Sequence, residues 1–324
     1  MRQKDSQNYI FIDEVQLLPN LERIVNSLAT PSGIDLYITS TNSYIASSKI
    51  ATQLSGRYVE IKIQPLTFSE FMQFFPDEAN RTAKFQQFLR YGGFPEVANF
   101  LISGAEQQIP LYLQNIYSTV LEKDIKHRKQ IRSMEDFRNV ALFSFDSVGK
   151  ILSPTKISNT LKSTSVHITN QTVDSYLTAL QDCYLLYKAQ RFDIRGKMLL
   201  KTLEKYYTVD LGLIEAVLGK PSSADMGRRL ENIVYLELLY RYGQVWIGKN
   251  YDMEIDFVVK NSDGVTQYFQ VAQTVAQEET LQRELRSLDN TGDHYKKTLL
   301  TLDSFDTDEQ GIEHRNIINW LLDA

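Results

Sequence analysis

Asp13 and Glu14 stand side by side at the end of an apolar run, "YIFIDE", residues 9 to 14. Adjacent acids at the carboxyl end of a buried strand have a definite use. The first holds Mg²⁺, directly or through water, while the second polarises an attacking water. The signal is weak alone, because apolar strands often end in such a pair. Downstream, "TSTN" (39–42) closes the next apolar run. It sets Ser40, Thr41 and Asn42 where a parallel sheet places groups that sense phosphate or position water. Helix capping is the plainer use of those three. Arg57 follows a glycine in "LSGRY" and suits a phosphate or an acidic neighbour, or else it is a surface arginine in a loop.

The elements that must hold these residues are legible as short α/β units. "YIFID" (9–13) and "IDLYITS" (34–40) are compact runs rich in β-branched and aromatic residues, the pattern of strands buried on both faces. Between them "NLERIVNSLAT" carries Leu21, Ile24, Val25 and Leu28 at helical spacing, and "PSG" breaks it. Strand, helix and strand make a βαβ unit with a parallel sheet. "VEIKI" (59–63) alternates cleanly and predicts a third strand. A helical stretch opens at Pro65, with Ser69 as its cap, and helical periodicity continues to about Gly149, broken by the tight-turn signature "YGGFPE" (91–96).

Residues 152–189 read as a helix over 154–162, a turn, a second helix over 169–182 and an apolar strand. That order is the layout of a winged helix-turn-helix. Asn170, Gln171 and Ser175 on the second helix could meet bases, and Lys156, Lys162 and Lys188 could meet phosphates. Asp174 and Asp182 oppose this, and such modules also serve as protein-docking or lid elements. The partner is therefore DNA or a protein. From about Pro221 a helix, apolar strands at 244–249, 254–260 and 266–275, a charged helix at 277–289 and a strand from 296 form another α/β unit. In it Glu231 on the helix, Asp256 on a strand and Gln270 on the next strand share an order with PD-(D/E)xK nucleases, which use such groups to bind Mg²⁺ and activate water. Ala272 stands where those enzymes carry lysine. A degenerate, restriction-endonuclease-like fold kept for binding or homo-oligomerisation is the expectation, with Lys249 or Lys260 as substitutes in space, and an active Mg²⁺-dependent nuclease is the rival.

The 324 residues carry a net charge of −5, so a nucleic-acid surface would have to be local. One cysteine, Cys183, permits no intrachain disulfide and fits a reducing, cytoplasmic compartment. No run approaches the ~20 apolar residues of a membrane span, and the N-terminus is not a signal peptide. The four histidines show no metal-ligand spacing.

Together, "YIFIDEVQLLPNLERIVNSL", "DLYITSTNSYIASSKIATQLSGRYVEIKIQPLTFSEF" and "YGGFPEV" resemble the prokaryotic AAA-type ATPases with a C-terminal domain of unknown function. "YYTVDLGL" (206–213) and "MEIDFVV" (253–259) match later landmarks of that family. The resemblance implies a multidomain α/β protein. Its parts would be a partial P-loop ATPase core (1–64), a helical lid (65–128), a winged-helix region (129–219) and a nuclease-like domain (220–324). It implies ATP and Mg²⁺ as cofactors and Asp13-Glu14 as the Walker B pair. Ser40, Thr41 and Asn42 would form the sensor region, and Arg57 an arginine finger. Family members carry G-x-x-x-x-G-K-[ST] upstream of the acid pair, whereas "MRQKDSQN" has no glycine and the loop does not appear later. Without its N–H cradle, lysine and hydroxyl, this chain alone is expected not to hydrolyse ATP. The first ~65 residues are expected to be its least stable part. A non-enzymatic DNA-binding or regulatory protein is the alternative.

Overall fold

The computed structural model describes residues 8–18, 20–29, 33–41, 58–77, 80–126, 131–219, 226–304, 307–309 and 311–323. Strands β1 (Asn8–Ile12) and β2 (Ile34–Ile38) pair in parallel, with helix α1 (Leu21–Ala29) between them in sequence. This is the expected βαβ order. Val15, Leu21 and Val25 form a small core against Ile12, Leu36 and Ile38. The strands were expected to be buried on both faces, but only one is covered among the described residues. Tyr9, Phe11 and Tyr37 face outward, and the last two rings stack 4.9 Å apart. "VEIKI" is also corrected: residues 58–64 form no strand, and Val59, Ile61 and Ile63 are 86%, 75% and 88% exposed. Alternation specifies a strand only where an edge is available to pair.

Helix α2 (Phe68–Gln73) is capped by Thr67 rather than Ser69. The Thr67 hydroxyl accepts the Glu70 N–H at 3.2 Å, and the Glu70 carboxylate accepts the Thr67 N–H at 2.8 Å. This is a capping box. Four further helices follow: α3 (Arg81–Tyr91), α4 (Pro95–Ile102), α5 (Ile109–Val120) and α6 (Met134–Asp146). Next come α7 (Pro154–Ser163), α8 (Asn170–Asp182) and an antiparallel hairpin of β3 (Leu186–Asp193) and β4 (Met198–Thr208). Ile157 and Leu161 of α7 and Val173 and Leu177 of α8 are buried in the core, at the helical spacing the sequence shows.

The hairpin does not stand apart. After α9 (Gly212–Leu218) and the 17-residue α10 (Met226–Tyr242), β3 pairs in parallel with β5 (Trp246–Asn250), Arg191 opposite Ile247. The sheet continues through β6 (Met253–Lys260), β7 (Thr266–Val271), β8 (Lys296–Thr301), β9 (Thr307–Glu309) and β10 (Ile312–Asn316). Its eight strands run in the order β4-β3-β5-β6-β7-β8-β10-β9. Helix α11 (Glu278–Asp289) links β7 to β8, and α12 (Ile317–Leu322) follows β10. One apolar core extends from Phe68 in α2 to Leu321 in α12, across the boundaries drawn from sequence at 128/129 and 219/220.

Two loops within this body meet closely, the one between α3 and α4 and the one between β4 and α9. The Asp210 carboxylate is buried and accepts the N–H of Gly93 at 2.6 Å and of Gly212 at 2.8 Å. Burial pushes this carboxyl up to about 7, although the N–H groups of Gly93, Gly212 and Leu213 favour the anion. Gly92 has φ +80°, and a Cβ built on it would lie 1.8 Å from Asp210 Oδ1. A Cβ on Gly212 would lie 2.2 Å from the Tyr91 carbonyl oxygen. No helix among the described residues is long and apolar enough to cross a membrane.

Gly92→Ala should therefore cost more than about 3 kcal/mol in urea unfolding, because strain and collision act together. Gly104→Ala, at φ +71° with nothing within 4 Å, should cost only about 1 kcal/mol. Equal costs would show that the Asp210 contact is not what requires glycine at 92.

Candidate functional site

Parallel pairing brings the chain out of β1 and β2 at the same edge, with Ile12 opposite Ile38. The two exits are hydrogen-bonded to each other. Thr39 N–H donates to the Ile12 carbonyl and Val15 N–H to the Thr39 carbonyl, each at 3.0 Å. The Thr39 hydroxyl donates to Asp13 Oδ1 and accepts the Glu14 N–H at 3.1 Å. Thr41 Oγ1 donates to Glu14 Oε2 at 3.1 Å. The acid pair and the hydroxyl cluster singled out from the sequence thus meet at one place. Asp13, Thr39 and Thr41 are exposed, with Glu14 and Ser40 half-buried, so the carboxylates are open to a ligand. Glu14 has φ +51°, a conformation uncommon outside glycine that turns the chain sharply after the strand. Thr39 is the residue missed: it opens "TSTN", yet it makes most of the bonds. Asn42 and Arg57 lie outside the described residues.

The edge has the chemistry of a cation site next to a water-positioning carboxylate. It contains no N–H cradle for phosphate among the described residues. One stretch elsewhere, "GQVWIGKN" (243–250), departs from the phosphate-loop pattern only at its last residue. It cannot act as one. Residues 246–250 form β5, and Gly248 faces Ile255 and Val258, where a Cβ would be 2.9 Å from each. Its backbone is used by the sheet.

The second constellation is also brought together, with changed roles. Glu231 Oε1 accepts from Lys205 Nζ at 2.8 Å and from the Tyr207 hydroxyl at 2.6 Å. Lys205 Nζ also meets Glu254 Oε1 at 2.7 Å. Asp256, buried beside them, accepts the Val271 N–H at 2.9 Å. Burial pushes the Asp256 carboxyl up, Glu231 and Glu254 push it further, and Lys205 with the Val271 N–H opposes them. Burial disfavours the Lys205 charge, but Glu231, Asp256 and Glu254 outweigh it and raise its pKa. Gln270 is engaged at both ends: its Oε1 accepts the Asp256 N–H at 3.2 Å and its Nε2 donates to Glu284 at 2.9 Å. The lysine paired with these carboxylates is Lys205, while Lys249 stands opposite Glu254 in the β5–β6 register. Lys205 comes from the hairpin, 26 residues before Glu231, and no fixed spacing in the sequence announces it. Among the described residues no three acids, histidines or cysteines are grouped to hold a metal ion.

The third set lies on α7 and α8. Lys156, Lys162, Asn170 and Gln171 are all exposed. Lys156 Nζ donates to the Ile151 carbonyl at 3.3 Å and the Asn170 amide to Thr155 Oγ1 at 3.2 Å. Lys188 pairs with Glu204 at 3.7 Å.

Comparison with known proteins shows what the chain is similar to. The AAA domain family model matches residues 1–72, and the model for a domain of unknown function (DUF8612) matches residues 82–224. An uncharacterized protein of Haemophilus influenzae is 39% identical over 318 residues, 97% of this chain and 77% of its own length. The chain belongs to that protein's family. An uncharacterized protein of Methanocaldococcus jannaschii is 28% identical over 270 residues, 79% of this chain and 59% of its own length. In this family member the acid pair and its threonines fall inside the AAA match. The Asp210 contact, α7, α8 and Lys205 fall inside the second match. Glu231, Asp256 and Gln270 lie beyond both.

Because one hydroxyl serves both Asp13 and the Glu14 N–H, Thr39→Val should weaken this edge locally by about 1–2 kcal/mol. Amide exchange of Glu14 and Val15 should quicken while Leu300, in β8, is unchanged; Thr39→Ser should restore protection. Uniform loss of protection across the chain would refute a local role.

Proposed function

We propose that the edge of β1 and β2 is the cation and water half of a Mg·ATP site of the AAA type. Asp13 holds Mg²⁺ and Glu14 polarises the attacking water. Ser40, Thr41 and Asn42 sense the terminal phosphate, and Arg57 acts as the arginine finger. The observation that carries this reading is the hydroxyl bonding of both acids across the parallel pair, within a stretch matched by the AAA domain model. The phosphate cradle is not among this chain's own motifs, so the chain alone does not turn over ATP. In the whole protein, hydrolysis would drive a conformational change in the helices and sheet that follow. Mn·ATP should broaden backbone resonances of residues 12–15 and 39–41, and Asp13→Asn should abolish the effect. Steady-state turnover should not exceed that of the Asp13→Ala, Glu14→Ala double variant. Absence of broadening at this edge sinks the site, and turnover clearly above the control sinks the claim of inactivity.

A second reading takes α7, α8 and the hairpin as a winged helix that binds duplex DNA without catalysis, next to a restriction-endonuclease-like domain. It is supported by the exposed Asn170 and Gln171 on α8 with Lys156 and Lys162 on α7. Duplex affinity should fall steeply with salt, and Lys156→Ala with Lys162→Ala should flatten that slope by about 2. A slope unchanged by both substitutions rejects the reading.

A further inference from the structure

Residues 58–64 have a strand's alternation without a strand's partner. They form no helix, strand or turn, and among the described residues no backbone group of 59–63 bonds to another backbone group. Val59, Ile61 and Ile63 are largely exposed, and Glu60 and Lys62 between them are exposed as well. Unpaired N–H and C=O groups beside exposed apolar side chains are a template for another strand. Pro65 ends the segment, because it has no N–H to give to a ladder. The charges then decide which strand fits. Glu60 and Lys62 meet at 3.9 Å, with the apolar residues at the alternate positions. Set antiparallel to a second copy about Ile61, the sequence Val59-Glu60-Ile61-Lys62-Ile63 is its own complement. Val59 falls opposite Ile63, Ile61 opposite Ile61, and Glu60 opposite Lys62 on both sides of the two-fold axis. A slip of one residue sets Glu60 opposite Ile61, or Lys62 opposite Ile61, and mixes the two faces. A slip of two sets Glu60 on Glu60 or Lys62 on Lys62, and parallel pairing in register does both. Like charges directly opposite are destabilising, whereas opposite charges and β-branched pairs stabilise.

We propose that residues 58–64 form an antiparallel ladder with the same residues of a second copy, making the chain a two-fold homodimer. The contact is isologous, so it closes with two chains and does not propagate. Main-chain hydrogen bonds supply its affinity and the side chains fix its register. Two strands by themselves are only marginally stable in water, so the dimer is weak, reversible and dependent on concentration. The contact uses no residue of the nucleotide edge. It gives the alternation of this segment the partner that the described residues of one chain do not supply.

The test is sedimentation equilibrium of the full chain over a wide range of concentrations. The wild type should pass from monomer to dimer as concentration rises. Glu60→Lys sets lysine on lysine at both charged pairs, and Lys62→Glu sets glutamate on glutamate. Each should weaken dimerisation roughly tenfold or more. The Glu60 and Lys62 side chains are 46% and 69% exposed, so neither change should disturb the folded chain, which circular dichroism checks. The double variant Glu60→Lys, Lys62→Glu restores both pairs with their signs reversed and should dimerise like the wild type. An equal mixture of the two single variants should also dimerise, because one strand then carries two lysines and the other two glutamates. A wild type that stays monomeric at every concentration overturns the proposal. A dimer indifferent to both single substitutions also overturns it, because the contact then lies elsewhere. So does failure of the double variant and of the mixture to restore the dimer.

Discussion

The junction between the loop after α3 and the loop after β4 depends on one buried carboxylate. Asp210 takes the N–H of Gly93 on one oxygen and of Gly212 on the other, tying together segments 117 residues apart in sequence. A carboxylate out of water is costly unless its oxygens are matched by donors, and close approach of two backbones supplies them. That approach explains the glycines. Gly92 and Gly212 each stand where a methyl group would enter the opposing chain. Arg229 extends the same junction, donating to the Leu89 carbonyl at 2.9 Å and to Glu215 at 3.0 Å. The α2–α5 helices and the eight-stranded sheet thus contribute side chains to one buried apolar cluster.

The βαβ unit at the other end is built under the opposite constraint. Three buried side chains hold it together among the described residues, and one face of its two strands carries exposed aromatic rings. Parallel strands are ordinarily covered on both faces. The parallel ladder and the hydrogen bonds between the strand exits supplement that small core, and the exit bonds are those that aim Asp13 and Glu14. Structure and chemistry share the same few atoms at this edge, so a substitution at Thr39 acts on both.

Much of this was legible because local rules and tertiary packing agree. The βαβ order followed from period-2 and period-3.6 patterns. The sequence suggests Ser69 as the cap of α2, but the Thr67–Glu70 box takes that role. The α7–α8 pair kept its apolar spacing. Legibility failed where the partner is remote in sequence. "VEIKI" has a strand's alternation, but no described strand lies beside it. Gln270 meets Asp256, yet its amide is committed to the Asp256 N–H and to Glu284, which lies 14 residues later on α11. Lys205 was invisible because a lysine on a hairpin carries no mark of the carboxylates it will meet.

The two acidic centres show why residue type alone does not decide chemistry. At the first, the acids are bonded by neutral hydroxyls at an edge open to water, and they have lone pairs to offer a cation. At the second, the acids are drawn into the protein, where an uncompensated charge is far more expensive. The fold brings its own ammonium to meet them, and the arrangement is stable only while that group stays. An exposed carboxylate pair can exchange its cation at little cost, whereas a buried cluster around a covalently tethered cation cannot.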